Sequence, residues 1–371
     1  MTSLIAVGLA WVWAAAMPMA YMDREYPSWA AKQELLRRCD LGQALIVGDS
    51  RAAAGIVPAL LPVRTANLAV GGGEPIEALA AVRRALRCPD PPRRVIVSFD
   101  AVHFVQPELF WERTVRFGFL DARDLAELRN VSRRLDDLSV YEERHTDSLP
   151  SWVRDGMYLS RFPSTQFASL VKSGVFMRWW QNRRILAAGL RARGYYTFGT
   201  AVGSDVVAGD GHLSQFRPLP VLDWYFDRLL ALLNKRGIEV DFVSVPMNDA
   251  TWQAMQPVVR RDFAAYLDAY AQRYPSFHVI GEVTPHWPDR WFGDGFAHLN
   301  PLGAERFSVQ LAQWLAASAP SRLARAVVPP PAQPRLQAAP PSTQNEAQKG
   351  WFKEIGLDAS ASVRPSSKRG S

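Results

Sequence analysis

Residues 44–55 read ALIVGDSRAAAG, and this stretch decides the predicted fold. The apolar residues 44–47 are typical of a buried strand, and the alanine-rich run after Ser50 is typical of a helix. Two interpretations of the junction stay open from these residues alone. Asp49 or Ser50 can cap the helix. Alternatively, Ser50 lies at the carboxyl edge of a parallel sheet, where α/β folds bind ligands and helix N–H groups stabilise anions.

Short apolar runs alternate with helical segments along much of the chain. The predicted strands lie at residues 44–47, 63–68, 95–99, 240–245 and 277–280. The predicted helices lie at residues 29–38, 52–60, 75–86, 221–235, 263–273 and 301–315. This alternation predicts an α/β fold in which helices cover both faces of a parallel sheet.

The middle of the chain, residues 102–220, breaks this alternation. It holds a polar predicted helix at residues 122–138, the segment FMRWWQNRR at residues 176–184, and the glycine-aromatic stretch GYYTFGTAVGSD at residues 194–205. We predict a large insertion between core strands. Such an insertion forms either the wall or lid of a site or a surface elaboration, and the sequence favours neither.

The first 22 residues carry no charged side chain. The uncharged run at residues 4–22 predicts a helix that spans a bilayer, so we expect residues 1–23 to form a transmembrane anchor. A cleaved signal peptide is the alternative, since the alanines at residues 14–16 suit a cleavage site. Basic residues after the run, among them Arg24 and Lys32, mildly oppose export of the rest of the chain.

The basic charge of the chain is concentrated in its C-terminal tail. The 371 residues carry a net charge of +7, and residues 321–371 hold eight Lys or Arg and three Asp or Glu. The body is close to neutral and contains no nucleic-acid-binding motif, so we expect no nucleic-acid partner. The composition predicts one α/β domain at residues 24–318 and a disordered Pro- and Ala-rich tail at residues 319–371.

The chain has two cysteines, Cys39 and Cys88, each a few residues before a predicted strand. If those strands are parallel neighbours, both thiols lie at the same edge of the sheet. A disulfide in an oxidising compartment and two unrelated buried thiols both fit this placement. No metal-ligand spacing of Cys or His is visible in the sequence, and we predict neither a metal nor a cofactor.

The stretch WFGDGFAHLNPLGAERF at residues 291–307 supplies a second set of polar side chains. Asp294 and His298 lie in a glycine-containing loop just before the last predicted helix, which Pro301 suits as a first residue. A serine hydroxyl is a weak nucleophile that needs a base, usually a histidine oriented by a carboxylate. Together with Ser50, these residues complete the set needed for acyl transfer.

Three blocks of the sequence resemble those of the SGNH, or GDSL-type, hydrolases. GDS at residues 48–50 matches their first block, and NLAVGGG at residues 67–73 resembles the second, whose oxyanion-binding glycine corresponds to Gly72 by spacing. His298, followed by Leu-Asn, resembles the last block, which carries the catalytic histidine. The resemblance spans about residues 40–315 and implies a three-layer α/β/α SGNH-hydrolase-like fold.

The resemblance also implies a role for each matched residue. Ser50 is the expected nucleophile, His298 the general base and then acid, and Asp294 the carboxylate that orients it. The N–H groups of Ser50 and Gly72 are the expected oxyanion hole. These roles describe a serine esterase or O-acyltransferase.

A membrane-anchored branch of this superfamily is the closer likeness. Its members act in O-acylation of exported polymers such as alginate, cellulose or teichoic acid. The apolar N-terminus, residues 48–77 and the phrase HLNPLGAERF at residues 298–307 resemble that branch. The likeness implies a single-pass inner-membrane anchor, a periplasmic domain and a polysaccharide substrate, with acetyl as the acyl group. It also implies a membrane-bound O-acyltransferase or polysaccharide synthase as partner, and it outweighs the charge argument against export.

The sequence departs from the family pattern at two points. The third block normally carries an oxyanion-binding asparagine, but SFDAVHF at residues 98–104 has Asp100 and His103 instead. An ionised Asp100 would repel an oxyanion, and losing one donor costs about 3 kcal/mol of transition-state stabilisation. Asp294 also precedes His298 by four residues, where the family has three.

Other polar residues have weaker claims on the site. Asn248, after a predicted strand, is an accessory candidate for the missing donor, although a loop asparagine is usually a turn residue. Asp210 and His212 form a second acid-histidine pair, which we rank lower because no helix of the expected kind follows it. No partner is evident for His103 or His145.

Two other functions stay open at this point. The departures favour a catalytically weak or inactive partner of a membrane O-acyltransferase or polysaccharide synthase. A soluble cytoplasmic esterase would require that the first 22 residues do not enter a membrane.

Overall fold

The structure, a computed structural model, describes residues 2–107, 109–141, 150–162, 171 and 174–325. Residues 1–320 form one compact unit. Residues 321–371 form a second unit, of which residues 321–325 are described.

Seven strands are present in the described residues, and all their pairings within sheets are parallel. They are β1 (Ala44–Gly48), β2 (Thr65–Asn67), β3 (Arg94–Ser98), β4 (Glu239–Phe242), β5 (Met247–Asn248), β6 (Phe277–Val279) and β7 (His286–Trp287). The central sheet has the order β2-β1-β3-β4-β6, and β5 pairs with β7 separately. Every predicted strand lies in the central sheet, so the predicted α/β fold with a parallel sheet is confirmed.

Helices precede the sheet, connect its strands and close the fold. They are α1 (Thr2–Ala16), α2 (Pro18–Tyr21), α3 (Tyr26–Arg37), α4 (Ser50–Gly55), α5 (Pro75–Ala85), α6 (Val102–Val105), α7 (Ala122–Arg134), α8 (Ser151–Leu159), α9 (Val175–Arg191), α10 (Pro220–Lys235), α11 (Asp249–Ala254), α12 (Pro257–Arg273) and α13 (Pro301–Arg325). A short π-helix covers Phe110–Val115.

The side chains of β1 point alternately to two apolar clusters, because successive residues of a strand face opposite sides of a sheet. Leu45 and Val47 belong to the cluster that also contains apolar side chains of α3, α5, α10 and α12. Ile46 belongs to the cluster that contains side chains of α4 and α13. Both faces of the sheet are therefore buried, as a parallel sheet requires.

The prediction of one helix over residues 4–22 is wrong. Helix α1 ends at Ala16, and α2 begins at Pro18. The break falls at the proline because its ring clashes with the preceding turn and it has no N–H to continue the ladder. Within the described part of the chain, no helix combines the length and apolar character needed to cross a membrane.

The second half of this apolar run packs into the body of the protein. The Tyr21 hydroxyl donates a hydrogen bond to the carbonyl oxygen of Ala14 at 2.9 Å. The side-chain amide of Asn182 on α9 donates to the carbonyl oxygens of Met19 at 3.0 Å and Met22 at 2.9 Å. Helix α9, which lies in the predicted insertion, therefore holds the N-terminal segment in place.

Several predicted boundaries also differ from the structure. The helix predicted at residues 52–60 ends at Gly55, and residues Pro58–Leu60 form a separate 3₁₀ turn. Helix α12 starts at Pro257, six residues before the predicted start at Phe263, since proline suits the first helical position. Helix α13 continues to Arg325, past the predicted domain end at residue 318. Most of the predicted disordered tail, residues 326–371, lies outside the described residues.

The two cysteines form a disulfide, so the two-thiol alternative is wrong. Cys39 and Cys88 are bonded, with their Cα atoms 5.5 Å apart. Cys39 follows α3 and Cys88 follows α5. The bond therefore ties two helices at the amino-terminal edge of the sheet, opposite the edge where Ser50 lies.

Candidate active site

Ser50 lies directly after β1, at the carboxyl edge of the central sheet. The strand order reverses between β1 and β3, which is where open α/β sheets form their ligand crevice. Gly48 has a φ of +155°, and a Cβ on it would lie 1.9 Å from the carbonyl oxygen of Ser98. Glycine is thus required for β1 to lie this close to β3 and still turn into α4.

The cap at this junction is Asp49, not Ser50. One carboxylate oxygen of Asp49 accepts hydrogen bonds from the N–H groups of Arg51 at 2.9 Å and Ala52 at 3.2 Å. The other oxygen accepts from the N–H of Asp100 at 2.9 Å. Since Asp49 supplies the cap, the partly exposed side chain of Ser50 is left available for chemistry.

Gly72 lies on a loop that is hydrogen-bonded to the same junction. The N–H of Val70 donates to the carbonyl oxygen of Gly48 at 3.1 Å, and the N–H of Gly73 turns back to Val70 at 3.0 Å. Gly72 has a φ of +64°, which favours glycine. Among the described residues, the N–H groups of Ser50 and Gly72 have no hydrogen-bond acceptor, so both remain available to an oxyanion.

Asp294 and His298 form a hydrogen-bonded pair. A carboxylate oxygen of Asp294 lies 2.6 Å from Nδ1 of His298, and the other accepts the His298 backbone N–H at 3.1 Å. Burial raises the pKa of Asp294, but the hydrogen bonds and charge of His298 outweigh it and hold that pKa below its usual range. An ionised carboxylate at Nδ1 keeps the proton there and leaves Nε2 as the base. The tautomer follows from this pairing.

The backbone between Asp294 and His298 adopts an unusual conformation. Ala297 has a φ of +58°, in the left-handed region that non-glycine residues rarely adopt. Strain of this kind persists where surrounding structure imposes it, and it clusters at functional sites. Here Phe292 and Leu299 close the loop through an antiparallel bridge.

The histidine loop packs against α4, the helix that begins at Ser50. Leu299 Cδ1 lies 3.4 Å from the position that a Cβ on Gly55 would take. The ring of Phe198 stacks on the imidazole of His298 with 4.3 Å between centroids. Within the described residues, buried Nε2 of His298 has no hydrogen-bond partner, so the Ser50 hydroxyl is not bonded to it.

Asp100 does not face the site as an unpaired carboxylate. Arg51 Nε lies 2.8 Å from Asp100, and Arg51 Nη2 lies 2.7 Å from Asp210. Burial alone would lower the pKa of Arg51, but the surrounding carboxylates outweigh it and raise that pKa, so the guanidinium stays charged. Burial raises the pKa of Asp100 well above its usual range and the charge of Arg51 opposes this, so Asp100 brings little net negative charge near the candidate oxyanion hole.

One cluster has donor atoms suited to a metal ion. Ligand atoms of Asp49, Asp100 and His103 lie within 4.8 Å of one another. However, the backbone N–H groups occupy Asp49, and the Arg51 guanidinium already supplies a cation at Asp100. A second cation would be repelled by Arg51, so the residues present do not fit a metal centre.

The other candidates serve different purposes. Asn248 Oδ1 caps α11 through the N–H of Thr251 at 3.1 Å, and its amide donates to the carbonyl oxygens of Ser204 at 2.8 Å and Val206 at 3.0 Å. Both amide hydrogens are used, so Asn248 has none left for an oxyanion and the accessory role is wrong. His145 lies outside the described residues.

Three residues near the site were not identified from the sequence. No pattern in the sequence singles out Arg51 or Phe198, and Asp210 stands out only as a partner for His212. Asp210 is fully buried and accepts a hydrogen bond from the N–H of Val102 at 2.9 Å. One feature of the sequence nevertheless points to Arg51. It directly follows Ser50 and lies in the first turn of α4, where its side chain is buried.

Comparison with protein-family models, with curated proteins and with solved structures gave no match to this chain. The roles of Ser50, Gly72, Asp294 and His298 are therefore argued from their geometry and from the resemblance in sequence.

Proposed function

We propose that the protein performs serine-dependent acyl-ester chemistry, with Ser50 as nucleophile and His298 as base. The main support for this proposal is the hydrogen bond between Asp294 and Nδ1 of His298, which are 2.6 Å apart. Nε2 of His298 has no hydrogen-bond partner among the described residues. Leu299, the residue after His298, packs against Gly55 at the other end of the helix that begins at Ser50. The sheet order and the three sequence blocks support a further proposal, that the fold is SGNH-hydrolase-like.

The mechanism requires two proton transfers in each half-reaction. Ser50 Oγ bonds to the ester carbonyl carbon while its proton moves to Nε2 of His298. The N–H groups of Ser50 and Gly72 stabilise the oxyanion that forms. The ester C–O bond then breaks, and His298 returns the proton to the leaving alkoxide. Water or a sugar hydroxyl next attacks acyl-Ser50 by the same route and releases the serine.

The substrate proposal follows the resemblance: O-acetyl transfer or deacetylation on an exported polysaccharide such as cellulose. A membrane-bound O-acyltransferase or polysaccharide synthase is the proposed partner. The Cys39–Cys88 disulfide supports an oxidising compartment such as the periplasm, because disulfides rarely persist in the cytosol.

We also propose that the N-terminal helices attach the protein to the inner membrane. Residues 3–10 of α1 are exposed, with Leu4 79% and Leu9 66% accessible. Phe176 and Trp180, at the start of α9, are exposed as well. A helix that is apolar on its exposed surface fits a lipid environment better than water. Carbonate-resistant sedimentation with membranes supports this attachment, and recovery in the soluble fraction contradicts it.

Labelling with a fluorophosphonate probe tests the nucleophile. The probe reacts with an activated serine, so we expect stoichiometric labelling of the wild type and none of Ser50→Ala. Ser276→Ala, which removes a hydroxyl bonded to Asn234 far along the chain, is the matched control and should label normally. Equal labelling of Ser50→Ala and wild type would contradict the proposed nucleophile.

A second candidate function is a catalytically weak or inactive partner subunit. It is favoured by Asp100 at the position of the family's oxyanion asparagine and by the missing hydrogen bond from Ser50 to His298. In that case the folded wild-type protein does not label at all, and it still copurifies with the membrane acyltransferase or synthase.

A further inference from the structure

A buried lysine lies beneath the loop that carries Gly72. Lys32 is on α3 and only 1% exposed, and its Nζ donates a hydrogen bond to the carbonyl oxygen of Ala69. Burying an ammonium group is costly unless it is paired. Burial lowers the pKa of Lys32 to about 7, and the charge of Glu25 partly opposes that change. The cost of burying the Lys32 ammonium therefore needs a structural explanation, and its hydrogen bond to Ala69 supplies one.

Glu25 contacts the same loop two residues later. A Cβ on Gly71 would lie 1.8 Å from Glu25 Oε1, so the carboxylate packs directly against the loop backbone. The Trp29 indole N–H donates to this oxygen at 3.1 Å, and Arg113 Nη2 lies 3.2 Å from Oε2. These two partners fix the carboxylate, so the loop cannot move toward it at Gly71.

Three consecutive residues of the loop are therefore held. Lys32 bonds Ala69, the carbonyl oxygen of Gly48 accepts from Val70, and Glu25 packs on Gly71. The next residue is Gly72. We propose that Lys32 and Glu25 are positioning residues, which set the place of the Gly72 N–H relative to Ser50.

This inference rests on the proposed function, since the position of Gly72 matters because its N–H binds an oxyanion. A displacement of about 1 Å in such a site can cost about 100-fold in rate. Neither side chain touches the reacting atoms. Their effect is expected in kcat, because the oxyanion exists only in the transition state, and not in KM.

The charged groups around Lys32 give this role a pH signature. Glu25 faces Lys32; Arg113, Asp23 and Tyr196 in turn face Glu25. A protonated ammonium donates a charge-assisted bond to the carbonyl, which is about twice as strong as a neutral one. We expect kcat to fall as the pH rises through about 7, the pKa of Lys32.

The variant Lys32→Met tests the proposal, with Gln33→Met as matched control. Gln33 is the next residue of α3, and its amide donates to the carbonyl oxygen of Phe117 at 3.0 Å, away from the loop. Both variants lose one bond to a backbone carbonyl. We expect Lys32→Met alone to lower kcat about 10- to 100-fold at unchanged KM, and to abolish the fall above pH 7.

Hydrogen exchange gives a readout that needs no enzymatic activity. In Lys32→Met the hydrogen-bonded amides of Ala69, Val70 and Gly73 should exchange at least about 10-fold faster, while the same amides stay protected in Gln33→Met. Unchanged exchange and an unchanged pH profile in folded Lys32→Met would overturn the proposal. Faster exchange in Lys32→Met, combined with a wild-type protein that never labels at Ser50, would instead contradict the proposed function while Lys32 still holds the loop.

Gly71→Ala supplies a second variant with Lys32 intact. The added methyl group occupies the place of the Glu25 carboxylate, so the loop must shift. We expect the same loss in kcat as in Lys32→Met. Wild-type kcat in Gly71→Ala would count against the role of Glu25.

Discussion

The Ser50 corner and the His298 loop are held in opposite ways. At the corner, Arg51 bridges Asp100 and Asp210, and all three are at least 95% buried. The loop has a single carboxylate–imidazole bond, a left-handed Ala297 and an unpartnered Nε2 within the described residues. The candidate nucleophile is thus fixed by ion pairs across the fold, whereas the candidate base lies on a short strained loop.

This difference suggests which part of the site adjusts when substrate binds. Removing one member of a buried ion network is costly, so such a network resists change. Catalytic hydrogen bonds in ligand-free structures are often long and shorten only in the complex. We therefore expect the histidine loop to move toward a fixed Ser50 rather than the reverse.

The largest predicted effect is on the loop side. Asp294→Asn removes the acceptor that keeps the proton on Nδ1 of His298, so the base is presented in the wrong tautomer. We expect kcat for an acetyl ester to fall about 10³- to 10⁴-fold with little change in KM. Steady-state kinetics at pH 8 measure this.

Asp289→Asn is the matched control for that loop. Asp289 lies five residues earlier and one of its carboxylate oxygens has no hydrogen-bond partner among the described residues. Activity within about twofold of wild type is expected for this variant. Equal losses in both variants would mean that the loop responds to general damage and not to the loss of the orienting carboxylate.

At the Ser50 corner, the predicted effect of a substitution is on the stability of the fold. Arg51→Met leaves Asp100 and Asp210 buried without their cation, and we expect it to lower the free energy of unfolding by about 3–5 kcal/mol. Urea denaturation followed by circular dichroism measures this. Arg37→Met, at an ion pair with 70% of the arginine side chain exposed, should leave the free energy of unfolding almost unchanged. Similar losses in the free energy of unfolding for the two variants would contradict the claim that buried ion pairs fix the Ser50 corner.

A smaller effect is expected where Phe198 stacks on the imidazole. Phe198→Leu keeps an apolar contact and loses the planar stack, so the ring of His298 gains freedom. We expect kcat to fall about fivefold, in line with a ring contact worth about 1 kcal/mol. Phe296→Leu, at a ring 74% exposed and 6.2 Å from the imidazole, should be neutral. A larger loss of kcat in Phe296→Leu than in Phe198→Leu would mean that Phe296, and not Phe198, orients the imidazole of His298.

The smallest effect concerns acid stability. The pKa of Asp294 is lower in the folded protein than its usual value, so its ionised form stabilises the fold above the unfolded pKa of about 3.9. That contribution is lost as the pH falls through the lower folded value. The difference in melting temperature between wild type and Asp294→Asn should shrink from pH 6 to pH 3. A constant difference would contradict this linkage.

The sequence predicted the parts of the site that depend on local patterns. The apolar run of β1 and its Gly-Asp-Ser ending placed Ser50, and the loop before α13 placed His298. Pro18 also marks the break between α1 and α2 in the sequence, whereas the uncharged run around it predicts a continuous helix.

Contacts between distant segments could not be predicted in this way. Arg51 and Asp210 are 159 residues apart, and Lys32 and Ala69 are 37 apart. No local pattern marks such pairs, since tertiary packing alone decides which buried charges meet. For the same reason the sequence offers Asn248 as an accessory oxyanion donor, although the segment at residues 204–206 uses both of its amide hydrogens.

The crystal structure of the protein treated with a fluorophosphonate tests the central claim most directly. We predict a covalent bond from phosphorus to Ser50 Oγ, with the phosphoryl oxygen about 2.7–3.1 Å from the N–H groups of Ser50 and Gly72. Nε2 of His298 should then lie within about 3.2 Å of Ser50 Oγ. An adduct on another residue, or an imidazole that stays beyond about 6 Å from Ser50 Oγ, would contradict the account.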